Sequence, residues 1–160
     1  MPKKKETKTN AMRILDAAGV DHQIHVFEAD GTMTGVEIAQ MLGEEPEHVF
    51  KTLVTQGKSR QFFVFVIPVN ATLSLKRAAQ ACGEKSVEMI PQKLLLPTTG
   101  YIHGGCSPIG MKKLFPTFID ETAQLFDTIC VSAGRVGAQA ELPPDELCRI
   151  TGAKYAQLTD

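Results

Sequence analysis

The sequence predicts a single α+β domain, and three observations carry that reading. Its 160 residues fall in the one-domain range and suffice for one sizeable core. Hydrophobic residues make up 43% and charged residues 22%, ordinary globular usage that argues against disorder as the global state. Short runs of alternating apolar and polar residues are interspersed with short helical patterns. The regular strand–helix–strand alternation of a doubly wound sheet is missing, and no repeat, low-complexity tract or linker divides the chain.

The elements follow in order. Residues 1–9 are polar and basic and read as a flexible tail, whose Lys3, Lys4 and Lys5 can graze phosphates. The domain proper is expected over residues 10–160. Asn10 is placed as the N-cap of a helix through Ala18, with Met12, Leu15 and Ala18 on one face and Gly19 as its C-terminal stop. Residues 22–27 alternate as a strand does. Thr34 and Glu37 have capping-box spacing and open a helix to about Leu42, stopped by Gly43. Residues 44–48 form an acidic bend or short helix.

Residues 50–55 and 61–69 are two strands joined by a hairpin loop at 56–60, and the second is apolar enough to be central. Ser74 caps a helix over 75–81 with Leu75, Ala78 and Ala79 inward, ended by Gly83. A short strand is expected at 86–89. A short helix starts at Pro91, runs through Leu95 and is broken by Pro97. Residues 101–103 are extended and 104–110 form a loop. Strands are expected at 118–120 and 128–132, a last helix from near Pro143 to Ile150, and a tail or last short strand at 154–158.

Seventeen Lys and Arg against 18 Asp and Glu give a formal net charge of −1. Nucleic-acid binding by bulk charge is thereby excluded, though a local basic groove is not. Trp is absent and there are two Tyr, too few for an aromatic ladder that stacks bases. The longest apolar run, 62–69, is interrupted by Pro68 and is far too short for a membrane span. The N-terminus lacks the apolar core of a signal peptide. Cys82, Cys106, Cys130 and Cys148 form no CxxC pair, which fits a reducing, cytoplasmic compartment. Phosphate-binding GxGxxG and GxxxxGK[ST] motifs are absent, so no nucleotide cofactor is expected. His22 and His25 stand three apart in a strand-like segment and point to opposite faces, with His48 and His103 remote in sequence. No metal site is expected from them.

Three segments can carry chemistry. In residues 100–110, GYIHGGCSPIG, adjacent glycines let the backbone approach a ligand closely, and loop amides there can hold an oxygen. Lys51 stands at the mouth of an apolar strand, where an ammonium directed into a pocket is a fixed charge for an anion or a polarised carbonyl. In residues 131–137, VSAGRVG, a strand opens into a glycine-bearing turn with a hydroxyl at the turn. Cys106, three residues after His103, is also a candidate thiol nucleophile.

Together VFKTL at 49–53, GYIHGGCSPIG at 100–110 and VSAGRVG at 131–137 resemble the YbaK family of aminoacyl-tRNA deacylases, free-standing relatives of the prolyl-tRNA synthetase editing domain. QIHVFEAD at 23–30, VEMI at 87–90 and PTFID at 116–120 are similar to further family segments. The resemblance implies a mixed β-barrel-like sheet with flanking helices and a central pocket. It implies trans-acting hydrolysis of Cys-tRNA(Pro), in which the substrate's own thiol attacks its ester and the protein supplies positioning. The implied partners are the tRNA acceptor end and prolyl-tRNA synthetase, with no cofactor, metal or membrane.

Carried over by position, Lys51 and Gly104 are the implied catalytic residues. Phe27, Tyr101, Gly105, Ser132 and Gln139 are the implied substrate-binding residues. Phe27 stands where well-known members carry Tyr, and Gln139 where they carry Asp. The loss of a hydroxyl and a carboxylate leaves another small amino acid, Ala or Ser, as an alternative substrate. A non-catalytic module that docks on tRNA or synthetase is a second alternative, and a Cys106–His103 thiol hydrolase a third. Lys76, Arg77, Lys112, Lys113 and Arg135 are expected as rim cations.

Overall fold

The computed structural model describes residues 8–160. Apart from Lys8 and Thr9, the expected tail lies outside the described residues. Among the described residues, five α-helices and eight strands follow one another: α1 (Asn10–Ala17), β1 (Gln23–Val26), α2 (Gly35–Leu42), β2 (Phe50–Gly57), β3 (Phe62–Pro68), α3 (Leu75–Cys82), β4 (Val87–Met89), α4 (Leu95–Thr99), β5 (Thr117–Asp120), β6 (Ile129–Ser132), β7 (Ala138–Leu142), α5 (Pro144–Thr151) and β8 (Lys154–Ala156). The acidic bend is a 3₁₀ turn at Pro46–His48. No helix among the described residues is long and apolar enough to cross a membrane.

The strands form two sheets. One has the order β1-β7-β6 and is antiparallel; the other has the order β4-β2-β3-β5-β8, with β3, β5 and β8 mutually parallel. The mixed sheets and flanking helices agree with expectation. The barrel-like arrangement does not close: the two sheets meet at a single parallel bridge, Val49 to Cys130. β6 meets the chain just before β2, whereas β4 pairs with β2 only from Thr55 to Gly57. Between them, on the side away from β3, the β2 edge from Lys51 to Leu53 has no strand neighbour among the described residues. That gap opens the cavity described below.

β3 shows why residues 61–69 read as a continuous apolar run. Val64 and Val66 face the main core with Phe50, Val54 and α1's Leu15. Phe63, Phe65 and Ile67 face Ala78 and Ala79 of α3 together with Leu158. A strand covered on both faces has no polar alternation to show. Asp120, 1% exposed, accepts a hydrogen bond from the Leu158 N–H at 2.9 Å and so ties the C-terminal segment to β5.

Several local readings need correction. Thr9, not Asn10, caps α1: its Oγ1 accepts from the Met12 N–H at 3.1 Å and donates to the Ala133 carbonyl. Asn10 instead donates from Nδ2 to the Gly110 carbonyl at 2.8 Å, joining α1 to the glycine loop. Leu75 points outward at 45% exposure, because Ala78 and Ala79 occupy the inward stripe of α3. Pro97 does not end its helix. It is the third residue of α4, where the helix needs no N–H from it. β7 was not anticipated, and residues 154–156 take the strand alternative. Thr34 and Glu37 form the capping box as read, and Ser74 caps α3 as read.

Candidate functional site

A cavity of about 550 Å³ opens where the two sheets part, within the range of small-molecule sites. Its wall takes Lys51 and Thr52 from the uncovered β2 edge, Ser132 from the end of β6, and Gln139 from the start of β7. Phe27, His103, Gly104 and Cys106 come from loops, and Met33 to Gly35 lead into α2. Five of the seven sequence-predicted site residues are thus brought together: Phe27, Lys51, Gly104, Ser132 and Gln139.

Lys51 is half-buried, and that burial lowers the pKa of its ammonium. Among the described residues the ammonium has no hydrogen-bond or ion-pair partner. Charge is therefore held at the cavity without neutralisation.

The two glycines of the 100–110 loop differ in role. Gly104, with φ +85°, lies in the cavity wall. Its N–H makes no hydrogen bond among the described residues. Gly105 lies behind the wall, and its N–H is spent on the Ile102 carbonyl at 3.0 Å. A Cβ on Gly105 would sit 2.9 Å from backbone atoms of Arg135 and Val136, so glycine lets the two loops touch.

Tyr101 is likewise absent from the wall. Its side chain is buried and its hydroxyl donates to the Ile109 carbonyl at 2.6 Å, which pins the loop on itself. Burial pushes its phenol up to about 12. Ser132 Oγ accepts from the Gly134 N–H at 3.2 Å and shapes the turn after β6. Phe27 is anchored by its N–H to the Gly137 carbonyl at 2.9 Å.

Gln139 is 5% exposed. With its amide oriented to donate, Nε2 lies 3.1 and 3.2 Å from the two carboxylate oxygens of Glu44. The carboxylate missing at position 139 is therefore present one contact away. Glu44 is held there by the close of α2: Gly43 is left-handed, and the Glu44 N–H donates to the Ala39 carbonyl at 2.8 Å.

Thr52 is a site residue that the sequence reading did not single out. Its Oγ1 is buried with no hydrogen-bond partner among the described residues. An unsatisfied buried hydroxyl costs about 1–3 kcal/mol, which a bound ligand's polar group would recover. The available signal was its place beside Lys51 in the alternation FKTLVT.

Burial pushes the cavity thiol of Cys106 up to about 12, which disfavours the thiolate that a nucleophile needs. None of the expected rim cations lines the cavity. Arg77 pairs with Asp160 at 2.9 Å, Lys112 donates to the Pro97 carbonyl at 3.4 Å, and Arg135 to the Val136 carbonyl at 3.3 Å.

Comparisons with known proteins fit this architecture. A crystal structure described as a candidate trans-editing enzyme for prolyl tRNA synthetase superposes with a TM-score of 0.84 at 25% identity, covering 97% of this chain and 99% of that one. A hypothetical protein of known structure reaches a TM-score of 0.87 at 23% identity over 95% of this chain and 100% of that one, a likeness of fold alone. An Enterococcus faecalis protein, EbsC, named as a candidate Cys-tRNA(Pro)/Cys-tRNA(Cys) deacylase, is 46% identical over 158 residues, 98% of this chain and 96% of its own length. The uncharacterized protein YwhH of Bacillus subtilis is 25% identical over 84% of each chain. The model of the aminoacyl-tRNA editing domain matches residues 29–150, and with that match the chain belongs to the aminoacyl-tRNA editing domain family.

Proposed function

We propose that this chain is a trans-acting aminoacyl-tRNA deacylase that works in the cytoplasm and removes cysteine mischarged on tRNA(Pro). The observation that carries this reading is the unpaired, half-buried Lys51 ammonium on the strand-free edge of β2, inside a cavity of about 550 Å³. That volume accommodates a small aminoacyl group together with part of the terminal adenosine. Support comes from family membership and from the name of the E. faecalis relative.

The chemistry is intramolecular. The substrate's sulfur attacks its own ester carbonyl carbon, a C–S bond forms, and the C–O bond to the ribose breaks. The thiol proton ends on the departing ribose oxygen, and the amino acid leaves as a cyclic thiolactone. The protein contributes orientation and charge. Lys51 and the Gly104 N–H face developing negative charge on the carbonyl oxygen, or a phosphate beside it. Gln139, backed by the Glu44 carboxylate, is the electron-rich wall for the substrate's ammonium. Thr52 Oγ1 is a further contact to the substrate. Prolyl-tRNA synthetase is the proposed partner that presents the tRNA. Gln139 in place of Asp keeps alanine and serine as competing substrates.

A panel of Cys-tRNA(Pro), Ala-tRNA(Pro) and Ser-tRNA(Pro), with and without prolyl-tRNA synthetase, tests the substrate class. Release of cysteine in preference to the others is expected. Binding of tRNA without release from any member would instead make the chain a docking module. S-methylation of the cysteinyl thiol should stop turnover, and undiminished hydrolysis of the methylated substrate would eliminate cyclisation.

A further inference from the structure

The three-stranded sheet carries a second cluster of reactive side chains, of which the deacylation scheme uses only Glu44, as the partner of Gln139. Alternation along its strands places His25, Gln139, Glu141, Cys130 and Ser132 on one face, with Ile24, Ala140, Leu142, Ile129 and Val131 on the other. Glu44, fixed by the left-handed close of α2, reaches over the polar face. There His25, Glu44 and Cys130 each offer one ligand atom, and the three atoms lie within 4.8 Å of one another.

The distances suit a tetrahedral ion. The Cys130 thiol, 4% exposed, donates to Glu44 Oε2 at 3.5 Å. Two ligands of a tetrahedral zinc-type ion, with metal–sulfur about 2.3 Å and metal–oxygen about 2.0 Å, stand about 3.5 Å apart. His25 carries a carboxylate partner, as metal-bound histidines commonly do. Its Nε2 lies 2.7 Å from Glu141 Oε1, and the other Glu141 oxygen accepts from Thr128 Oγ1 at 2.6 Å. A carboxylate at Nε2 fixes the tautomer and leaves the Nδ1 lone pair for an ion.

We propose that His25, Glu44 and Cys130 form a binding site for a zinc-type divalent cation, with water as the fourth ligand and Glu141 and Thr128 orienting the histidine. A mixed nitrogen, sulfur and oxygen set selects zinc, cobalt or copper over magnesium and calcium, which take oxygen ligands. On binding, the Cys130 S–H bond gives its proton to solvent and the thiolate bonds the ion. Glu44 also faces the Gln139 amide, so the site adjoins the cavity wall and shares this carboxylate with it, while its cation binding is read independently of deacylation.

Cobalt(II) titration of the full chain tests this directly. One equivalent should bind, with a thiolate-to-cobalt charge-transfer band and the visible spectrum of a four-coordinate ion, and zinc should displace it. Cys130→Ser should abolish the charge-transfer band. Glu141→Gln should weaken binding about 10–100-fold while keeping the band at saturation. Cys82→Ser and Cys148→Ser should change nothing. If Cys130→Ser does not fold, His25→Gln, at a half-exposed position, carries the same test by losing stoichiometric binding. Absence of a thiolate band in the wild type, its survival in Cys130→Ser, or unweakened binding in His25→Gln would overturn the assignment.

Discussion

β3 and β7 are each flanked by a strand on both sides, yet they are built on opposite principles. β3 runs Phe-Phe-Val-Phe-Val-Ile-Pro, and every side chain from Phe63 to Ile67 meets other apolar groups. β7 runs Ala-Gln-Ala-Glu-Leu, and its polar residues are satisfied singly, Gln139 by Glu44 and Glu141 by His25 and Thr128. Apolar burial is non-directional and tolerates many partners, whereas a buried polar group needs one partner at one distance. β3 therefore carries stability, and β7 carries the geometry of the cavity wall and of the cluster beyond it.

The largest effect expected from this contrast is on β3. Phe65, fully buried and stacked on Phe118 with ring centroids 5.6 Å apart, should cost about 3–5 kcal/mol of stability on Phe65→Ala. Denaturant unfolding measures this. Deacylation per folded molecule should be unaltered, since Phe65 faces α3 rather than the cavity.

A smaller effect is expected on β7, and it is specific to a partner. Gln139→Asp places a second carboxylate against Glu44, so that one of the pair must have its pKa raised in the folded state. The penalty, about 1–3 kcal/mol, is present at pH 7 and shrinks as pH falls through that raised value. Glu44→Gln in the same chain should remove it, a coupling that a double-mutant cycle reads directly. Additive costs would mean that the two side chains do not meet.

The smallest effect is a matter of pH. Burial lowers the Lys51 pKa, so the folded chain gives up this proton below the ordinary lysine value of about 10.4. Enzyme-dependent deacylation should decline as pH rises through that lowered value, and Lys51→Met should lack this alkaline limb. An alkaline limb retained in Lys51→Met would assign it to another group.

The sequence made β3 legible because a long apolar run bounded by turns has few alternatives. α2 was legible because a capping box is local: Thr34 and Glu37 bond each other whatever surrounds them. The cap of α1 was misplaced by one residue because Thr9 and Asn10 are both good caps. The bond from Thr9 to Ala133, remote in sequence, decides between them. β7 escaped notice for a related reason. Alanine, glutamine and glutamate do not favour strands, and the segment is extended because β1 and β6 pair with it on both sides. Within the site, residue types and patterning pointed to Lys51, the Gly104–Gly105 pair and Ser132, and the family resemblance added Phe27 and Gln139. Tyr101 was read as a contact because it belongs to the same motif, but its hydroxyl turns inward to Ile109. Glu44 lacked a local signal, and Thr52 had only its place beside Lys51. Glu44 acquires its meaning from Gln139 and Cys130, and Thr52 from a cavity that forms only where the two sheets part.

The central claim is that an unneutralised lysine on a strand-free edge makes this cavity a deacylation site. Single-turnover hydrolysis of Cys-tRNA(Pro) by the wild-type chain and by Lys51→Ala tests it most directly. Cysteine release is expected from the wild type, with a loss of about 100-fold or more in Lys51→Ala, the scale of removing one preorganised charge-stabilising group. Thermal stability should be unchanged or raised, because the lost side chain was a partly desolvated cation. Equal rates for the two proteins, or a rate loss that merely tracks unfolding of Lys51→Ala, would contradict it.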